Sequence, residues 1–378
     1  MIPTEEQVMI RDMARAFAAE QITPFAAEWE DKAYFPSEVF KAMGKLGLMG
    51  MTVPEEWGGA GLDYVTYAMA LEEIAYGDGA IAIVMSGHNS VGCMPILEYG
   101  SQAQKDTYLR RLTMGEILCA FALTEAKGGS DAGALTTRAV RDDDGYVVNG
   151  SKQFITTGKN ADLTLVFAVT NPELGKRGIS AFIVPTDTPG YEVVRLEEKM
   201  GLNASDTAQL AFTDMRLPYD ALLGEEGQGY RIALGNLEGG RIGIASQALG
   251  MARAAYEAAL EYAQEREAFG KPIIEHQAVA FRLADMATQL EAARQLTWHA
   301  AVRRSAGLKC LTEASMAKLF ATDMAEKVCS EAMQTLGGYG FLRDFPVERY
   351  YRGVRGARIY EGTNDIQKLV IARNIAAE

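Results

Sequence analysis

The chain has 378 residues, 48% hydrophobic and 23% charged, a composition typical of a folded protein with a sizeable core. Its formal net charge of −13 argues against nonspecific binding to nucleic acid, which needs a basic surface. The three histidines and four cysteines show no CxxC pair and no metal-ligand spacing. We therefore expect reduced thiols, no metal and no nucleic-acid partner.

The first 120 residues have a helical pattern. Thr4 followed by Gln7 predicts a capping box at the start of the first helix. Further helices are predicted for SEVFKAMGKLGLMG, YVTYAMALEEIAYGD and SQAQKDTYLRRLTMG, with a turn at PEEWGGAGLD. The N-terminus carries early glutamates and lacks the basic-then-apolar order of a signal peptide, and no run of about eighteen apolar residues occurs. We expect a cytoplasmic protein with no membrane span and an N-terminal helical domain over residues 1–120.

Near residue 121 the pattern becomes strand-like. Turn signals are dense, at DDDG, at the Asn149-Gly150 pair and at TPGY. We interpret Asn149-Gly150 as a hairpin turn. Short apolar or alternating runs lie between these signals: LTLVFAV, ISAFIVP, YEVVRL and TAQLAF. The pattern predicts a central antiparallel sheet or small barrel over residues 121–226.

Helices return over residues 227–378. Three long helical segments fit an antiparallel bundle, and the third ends at paired glycines, a typical helix stop. The order of helices, strands and helices predicts an α+β multidomain protein. It does not fit the alternating pattern of a dinucleotide-binding fold. GGSDAG at 128–133 also lacks a GxGxxG that opens a helix, which disfavours a nicotinamide dehydrogenase.

Several segments concentrate residues that can bind a cofactor: FALTEAKGGSD, NGSKQFITTG, NLEGGRIGIA, and EREAFGKP with QTLGGYGF. Their glycines allow a backbone to approach a flat or phosphorylated ligand closely. Phe154, Thr156 and Arg241 add a ring, a hydroxyl and a phosphate-binding guanidinium. Each segment also has an ordinary interpretation, as a glycine-rich loop, a core phenylalanine with an exposed threonine, or a helix start with a surface arginine.

The segment IYEGTNDIQKLVIARN is the most informative. We interpret Asn364 with Gln367 as the cap of the final helix, which places Glu361 in the turn before it. A carboxylate beside Ile359 and Tyr360 can have a raised pKa, as a general base near neutral pH requires. The alternative is a solvated glutamate beside a helix cap, the commoner situation for this residue type.

Together these segments resemble the acyl-CoA dehydrogenase family over essentially the whole chain. The resemblance rests on seven motifs in order: LTEAKGGSD, NGSKQFITTG, KMGLNASDTAQLAF, LEGGRIGIASQALGMA, YAQEREAFGKPIIEHQ, QTLGGYG and IYEGTNDIQ. It implies an N-terminal helical domain, a central antiparallel β-domain and a C-terminal four-helix bundle. It also implies bound FAD and a catalytic base, Glu361. In the branch whose base comes from the other helix, a glutamate stands where this chain has Gly240.

The resemblance implies the remaining site residues as well. Those expected around the isoalloxazine and pyrophosphate of FAD, with Thr156 near N5, are Phe121, Leu123, Thr124, Gly129, Ser130, Phe154 and Thr156. Those expected to bind the ADP half, the first five from a neighbouring subunit, are Arg266, Phe269, Gln277, Gln334, Gly338, Thr363 and Asp365. Those expected to bind the thioester and CoA are Ser130, Glu238, Arg241, Tyr360 and Arg373.

The chain departs from the family pattern at a few positions. Ala126 and Gly128 replace a usual proline and alanine, and Phe154 stands where many members have tryptophan. Gly353 replaces a common aspartate, a change expected to loosen the turn before Glu361 or a subunit contact.

LEGGRIGIA and SGHNS resemble the short-chain branch, which implies a butyryl-like or short branched acyl group, with a medium-chain substrate as the alternative. The resemblance further implies a homotetramer and transfer of electrons to electron-transferring flavoprotein. The nearest rival functions are an acyl-CoA oxidase and an acyl-CoA desulfinase on the same fold. A catalytically silent helical binding protein is the rival from another class; it would tolerate loss of Glu361, and the retained base and flavin motifs disfavour it.

Overall fold

The computed structural model describes residues 1–377. Its N-terminal part is helical, as predicted. Thr4 caps the first helix by accepting the N–H of Gln7, and the Gln7 side chain accepts the N–H of Thr4, which confirms the capping box. The helices of this part are α1 (Glu5–Gln21), α2 (Ala26–Lys32), α3 (Ser37–Lys45), α4 (Tyr64–Gly77), α5 (Gly79–Gly87), α6 (Met94–Tyr99) and α7 (Gln102–Thr113).

The segment Gly79–Tyr99 is one continuous helical stretch that the sequence periodicity does not reveal. A π-helical turn, His88–Cys93, joins α5 to α6. The stretch is buried over most of its length and its first part, GAIAIVMSG, is apolar almost throughout, so it lacks the amphipathic period of a surface helix. It is long and apolar enough to cross a membrane by length and composition alone, but 83% of its most apolar window is buried inside the protein. This burial is that of a core helix.

The central part is an eight-stranded sheet. The strand order is β6-β7-β3-β2-β4-β5-β8, and β1 pairs with β4. The pairings are antiparallel except for β1 with β4 and β2 with β4, which local turn signals do not reveal because parallel neighbours need long connections. The strands are β1 (Cys119–Ala122), β2 (Arg138–Arg141), β3 (Gly145–Thr156), β4 (Leu163–Val169), β5 (Ile179–Pro185), β6 (Tyr191–Leu196), β7 (Thr207–Pro218) and β8 (Leu222–Leu223).

The interpretation of Asn149-Gly150 as a hairpin turn is wrong. The pair lies inside β3, and the turn that precedes this strand is closed by the Asp142 side chain, which accepts the N–H of Gly145. Gly150 sits at a shift in register between β3 and β7, with φ of 153°. A Cβ there would lie 2.5 Å from the Thr137 hydroxyl oxygen. Glycine is therefore needed at this position for a bulge and not for a turn.

The C-terminal part is helical, with a short hairpin. Its three long helices and α12 pack together and form the four-helix bundle, and α11 ends at Gly337, the predicted glycine stop, with φ of 62°. The elements are α8 (Gly229–Gly235), α9 (Leu237–Glu265), β9 (Glu267–Ala268), β10 (Lys271–Pro272), α10 (Gln277–Ser305), α11 (Leu311–Leu336), α12 (Val347–Ala357) and α13 (Asn364–Ile375). Helices α4 and α5 also pack against α9, so the two helical parts share one hydrophobic core.

Gly353 is buried inside α12, which continues through it without a break. A Cβ at this position would lie 3.1 Å from Leu202 Cδ2 and 3.2 Å from Met251 Sδ. Apolar side chains thus occupy the space that an aspartate would need. The neighbouring Arg352 anchors the helix by donating to the Glu30 carboxylate.

Candidate active site

The carboxylate of Glu361 lies against the first turn of α9. Glu361 is in the turn between α12 and α13, and an ideal Cβ at Gly240 would be 2.9 Å from its Oε2 and 3.0 Å from its Oε1. Contacts under 3.0 Å are not tolerated by real Cβ atoms without a shift. The Glu361 carboxylate and a side chain at position 240 therefore compete for the same volume.

The backbone of this turn is held in an unusual conformation. Glu361 has φ of 54°, in the left-handed region that non-glycine residues rarely adopt, and Gly362 follows with φ of 84°. The Gln367 side-chain amide donates to the carbonyl oxygens of Glu361 (3.1 Å) and Gly362 (2.8 Å). The Lys318 ammonium donates to the same Gly362 oxygen (2.9 Å). The main-chain N–H of Glu361 has no main-chain acceptor within residues 1–377, which leaves it as a donor for a ligand.

The cap of the final helix is one residue earlier than we predicted from the sequence. Thr363 is the N-cap of α13, and its hydroxyl accepts the N–H of Ile366. Asn364 is instead buried, where its amide oxygen accepts from Lys318 and its amide nitrogen donates to Asp323. The prediction was wrong because Thr and Asn are both good capping residues and only the backbone geometry distinguishes them.

Two buried cations flank Glu361. Burial raises the pKa of the Glu361 carboxyl, and the charges of Arg241 and Lys318 oppose this without reversing it. Arg241 is only 5% exposed; it donates to the Ser315 hydroxyl at 3.3 Å, while its buried Nε has no partner among residues 1–377. Burial lowers the pKa of Lys318 to about 7. Glu361 is therefore not a solvated glutamate, and Arg241 is not a surface arginine.

Glycines on one face of α9 bring aromatic residues close to Glu361. A Cβ at Gly239 would be 3.2 Å from the Tyr64 ring, and one at Gly243 would be 2.7 Å from the Tyr67 hydroxyl oxygen. The Tyr67 phenol, whose pKa is raised mainly by burial, bonds to Ser86. These contacts pack two tyrosines against the start of α9, the part of the helix that also contacts the Glu361 carboxylate.

Tyr360 is fixed by its hydroxyl group. The hydroxyl donates to Gln247 Oε1 on α9 (3.0 Å), and the Gln247 amide donates to the carbonyl of Gly79 at the start of α5 (2.6 Å). Burial raises the pKa of this phenol, so it stays neutral. Tyr360, which directly precedes Glu361, is therefore tied to both helical parts of the chain.

The structure brings some of the predicted thioester and CoA residues together. Glu238 and Arg241 share the first turn of α9, and the Glu238 carboxylate accepts from Arg304 at 3.1 Å. Ser130 is exposed in the loop after β1. Arg373 is exposed at the far end of α13, about three helical turns beyond the base.

Two of the predicted flavin segments are fastened to each other. The Lys152 ammonium on β3 donates to the carbonyl of Leu123 (3.1 Å) and to the Glu125 carboxylate (2.9 Å), and both charged side chains are buried. The N–H of Gln153 donates to the carbonyl of Thr124 (2.9 Å). These bonds hold the end of β1 beside the end of β3.

Phe154 is exposed and is not a core residue. It lies at a register shift between Lys152 and Ile155, has φ of 59°, and is 63% exposed. Thr156 and Phe121 are half-buried, and the Phe121 ring packs on Phe167 at 4.7 Å between centroids. An exposed ring beside the bonded end of β1 fits a planar aromatic ligand. Gly129 and Ser130 are exposed in the adjoining loop.

The predicted ADP-binding residues lie on an exposed surface of the C-terminal part. Arg266 and Gly338 line a common cleft of about 530 Å³. Phe269, in the β9–β10 hairpin, is 97% exposed with φ of 54°, and Gln277 and Gln334 are exposed as well. An arginine beside a glycine backbone fits a diphosphate group. Of the last two predicted residues, Thr363 caps α13 and Asp365 is exposed, 3.7 Å from Lys368.

Three site residues were missed from the sequence: Lys152, Lys318 and Gln367. The first two have a signal. Lys318 occupies the alanine-rich buried stripe of α11, beside Ala317 and Ala321, and Lys152 falls on a buried position of β3. A lysine at a position that the helix or strand period predicts to be buried is a cation that needs a specific partner. Gln367 has no such signal, because glutamine is common on helix surfaces.

Three family models match the chain in order. They are the acyl-CoA dehydrogenase N-terminal domain over residues 4–116, the middle domain over residues 120–215 and the C-terminal domain over residues 227–376. An acyl-CoA dehydrogenase from Bacillus subtilis (strain 168) is 50% identical over 370 residues, 98% of each chain. A short-chain specific mitochondrial acyl-CoA dehydrogenase from Bos taurus is 47% identical over 371 residues, 98% of this chain and 90% of the relative.

Solved structures show the same similarity. The butyryl-CoA dehydrogenase from Megasphaera elsdenii superposes with a TM-score of 0.97 at 40% identity, covering 100% of this chain and 99% of that chain. A chain solved in a study of the electron transferring flavoprotein of Acidaminococcus fermentans and flavin-based electron bifurcation gives a TM-score of 0.98 at 44% identity, with 100% of both chains covered.

Proposed function

Because the chain belongs to the acyl-CoA dehydrogenase family, whose members are FAD-dependent oxidoreductases, we propose that it oxidises a short-chain acyl-CoA to the trans-2-enoyl-CoA. Glu361 is the base that removes the α-proton. The observation that carries this proposal is the Glu361 carboxyl itself, which has a raised pKa and is held by a constrained turn in the space left by Gly240.

The chain's residues fit FAD. FAD, when bound, accepts a hydride from the β-carbon of the thioester. The exposed Phe154 ring beside the bonded ends of β1 and β3 supports an isoalloxazine site there. The residues that would hold the ring and pyrophosphate are Phe121, Leu123, Thr124, Gly129, Ser130, Phe154 and Thr156.

The ADP half of FAD would be bound across a subunit contact. The cleft at Arg266 and the fully exposed Phe269 support a site that a second subunit completes. The residues assigned to it are Arg266, Phe269, Gln277, Gln334 and Gly338 from the neighbouring subunit, with Thr363 and Asp365.

Glu361 contributes two groups to catalysis. Its main-chain N–H donates to the thioester carbonyl oxygen, which stabilises enolate character and acidifies the α-proton. Its carboxylate accepts that proton, and its raised pKa makes it a stronger base than a solvated glutamate. The burial that raises the pKa of the Glu361 carboxyl also strengthens both interactions. Ser130, Glu238, Arg241, Tyr360 and Arg373 bind the thioester and CoA.

The short-chain assignment rests on the relatives. The Bos taurus enzyme is named short-chain specific and the Megasphaera elsdenii enzyme is a butyryl-CoA dehydrogenase. A medium-chain substrate is the alternative, and a titration with acyl-CoAs of different chain length distinguishes it from a short-chain substrate.

We further propose domains over residues 1–120, 121–226 and 227–378, a cytoplasmic homotetramer, and electron-transferring flavoprotein as the acceptor. The limits of the three family models support the boundaries, and the similarity to the Acidaminococcus fermentans study chain supports the acceptor.

The test is an anaerobic titration of the purified flavoprotein with a series from butyryl-CoA to dodecanoyl-CoA. We expect bleaching of the flavin absorbance band, fastest with butyryl-CoA, and reoxidation by electron-transferring flavoprotein. Fastest bleaching with octanoyl-CoA would favour a medium-chain enzyme. Rapid oxygen consumption would indicate an oxidase, and sulfite release from a sulfinated thioester would indicate a desulfinase. A flavin that no acyl-CoA bleaches would reject the proposal.

A further inference from the structure

We propose that Lys318 is a positioning residue that holds the Glu361 turn in its reactive conformation through the carbonyl oxygen of Gly362. The inference rests on the proposed function, because it assigns a role in the same deprotonation step. Lys318 does not touch the reacting atoms in this assignment. It acts through the backbone that carries the base.

The Lys318 ammonium is fully buried and has two neutral acceptors. Its Nζ lies 2.9 Å from the Gly362 carbonyl oxygen and 2.9 Å from Asn364 Oδ1, and its side chain is 0% exposed. It forms no ion pair within 4 Å of a carboxylate in the part of the chain that the structure describes. A buried cation without a paired carboxylate is costly, so packing alone does not explain a lysine in an alanine-rich stripe.

The Gly362 carbonyl oxygen is the point at which the turn is held. It accepts from both Lys318 and Gln367, which satisfies both of its lone pairs. Gly362 directly follows Glu361, whose left-handed backbone persists only where its surroundings enforce it. A loss of the Lys318 bond therefore leaves Gln367 alone to hold the residue next to the base, and the turn is held less firmly.

The charges that face Lys318 favour the same role. Glu361 and Asp323 attract the ammonium, with Glu361 the stronger, while Arg241 and Arg358 repel it. Asp323 is already engaged by Arg358 at 2.8 Å. The negative charge that remains to balance Lys318 is thus that of ionised Glu361. Lys318 in turn favours the ionised carboxylate, the form that accepts the proton.

Two substitutions separate the hydrogen bond from the charge. Lys318→Met removes both, and Lys318→Gln removes the charge but keeps an N–H donor. Lys327→Met is the matched control, because Lys327 is an exposed lysine on the same helix that pairs with Asp285. Each holoenzyme is measured for FAD content, Tm, KM, kcat and the pH dependence of kcat/KM, with butyryl-CoA as substrate.

We expect Lys318→Met to lower kcat about 10²-fold, the effect of a small misplacement of a catalytic group, with KM and FAD content close to those of the unmodified enzyme. Lys318→Gln should recover part of the rate. Both variants should shift the acidic limb of the kcat/KM profile to higher pH, since a cation that favours ionised Glu361 is gone. Lys327→Met should change none of these quantities.

The proposal is overturned if Lys318→Met retains FAD and shows an unchanged kcat and acidic limb. If that variant does not fold, an unchanged rate and acidic limb in Lys318→Gln overturns it. If both variants lose the fold, Lys318 serves stability and the positioning role is equally rejected. A failure of the unmodified enzyme to react with any acyl-CoA is a different result, which removes the proposed function and is seen before any variant is made.

Discussion

The geometry at Glu361 depends on single residues. Some of them matter because they leave space, and others because they supply a hydrogen-bonding group. Gly240 has no side chain, which leaves room for the Glu361 carboxylate against α9. Gly362 provides a carbonyl oxygen that accepts hydrogen bonds from the side chains of Lys318 and Gln367. Glu361 and the residues that contact or hold its turn come from four elements: α9, α11, the turn before α13, and α13 itself. The addition of one methyl group at position 240 should therefore lower the reaction rate.

Gly240→Ala tests this spatial competition. The new Cβ would lie 2.9 Å from a Glu361 carboxylate oxygen, so the base must move. We expect kcat to fall by roughly 10²-fold, as for a misplaced catalytic group, with FAD content unchanged. Gly235→Ala is the control, because its Cβ would make only an ordinary contact, 3.5 Å from the Tyr99 hydroxyl. Equal rates for the two alanine variants would contradict the described packing.

The raised pKa of Glu361 predicts the direction of the pH dependence. The base must be ionised to accept a proton, so kcat/KM should fall as pH drops through the pKa of the free enzyme's carboxyl. Because burial raises that pKa, the acidic limb should lie above 4.5, the ordinary value for glutamate. The measurement is kcat/KM for butyryl-CoA across the acidic pH range. An acidic limb centred at or below 4.5 would be inconsistent with a buried base.

At the scale of secondary-structure elements, the β-domain contains a buried clamp between β1 and β3. The Lys152 ammonium and the Glu125 carboxylate are 2.9 Å apart and almost fully inaccessible, and Glu125 also accepts from Thr136 and Thr137. Burial alone would raise the pKa of Glu125, but Lys152 and these hydrogen bonds outweigh it and lower the pKa to about 2. The clamp sets the position of Leu123 and Thr124.

Lys152→Met should both destabilise the protein and weaken flavin binding. It leaves the Glu125 charge buried without its partner, which costs about 3–5 kcal/mol of unfolding free energy. Urea unfolding of the variant and its flavin-to-protein ratio are the measurements. Lys159→Met, which changes an exposed lysine after the same strand, serves as the control. A Lys152→Met protein with full flavin content and unchanged unfolding would show that the clamp has no such role.

Glu125 also predicts how stability depends on pH. Its folded pKa is depressed, so its stabilising contribution is present above the unfolded value of 4.5 and is lost as pH falls towards about 2. The difference in unfolding free energy between Lys152→Met and the unmodified protein should therefore shrink over this interval. A difference that stays constant as the pH falls from 5 towards the acid limit, roughly pH 2, would contradict the assignment.

At the scale of the whole molecule, the chain exposes large aromatic side chains where a soluble monomer has little reason to. Phe269 and Phe341 are almost fully exposed, and both are close in sequence to the cleft that contains Arg266 and Gly338. Exposed apolar surface beside a cleft is consistent with a contact surface in an assembly. The proposed homotetramer would bury them and complete the ADP half of the flavin site at the same step.

We therefore expect native mass spectrometry of the holoenzyme to give about four times the 41.1 kDa chain mass. Because the proposed ADP site is shared between subunits, dissociation by a mild chaotrope should release FAD over the same concentration range. Phe269→Ala should lower the concentration at which both changes occur, since it removes a fully exposed ring assigned to this contact. A monomer that keeps stoichiometric FAD would contradict the shared site.

The fold could be predicted from the sequence, as could the position of Glu361 in the turn before α13, and the errors of the prediction have physical causes. Period changes and turn signals located the three parts of the chain, because helices and strands bury their residues with different spacing. The helix at 79–87 was missed because it is apolar almost throughout and shows no amphipathic period, and the bulge at Gly150 was mistaken for a turn because glycine serves both. Glu361 was predicted as a candidate base through its motif. Lys318 was not, since its partners Gly362 and Asn364 are more than forty residues away in the chain.

We propose that the Glu361 carboxylate removes the α-proton, and every other role assigned to this site depends on that step. The most direct measurement is the rate of anaerobic flavin bleaching by butyryl-CoA in a single turnover, compared between the unmodified enzyme and Glu361→Gln. We expect Glu361→Gln to bind FAD normally and to lose at least ~10²-fold of the rate, the low end of the rate loss on removal of an acid–base group. Bleaching by Glu361→Gln at the unmodified rate would contradict the proposal.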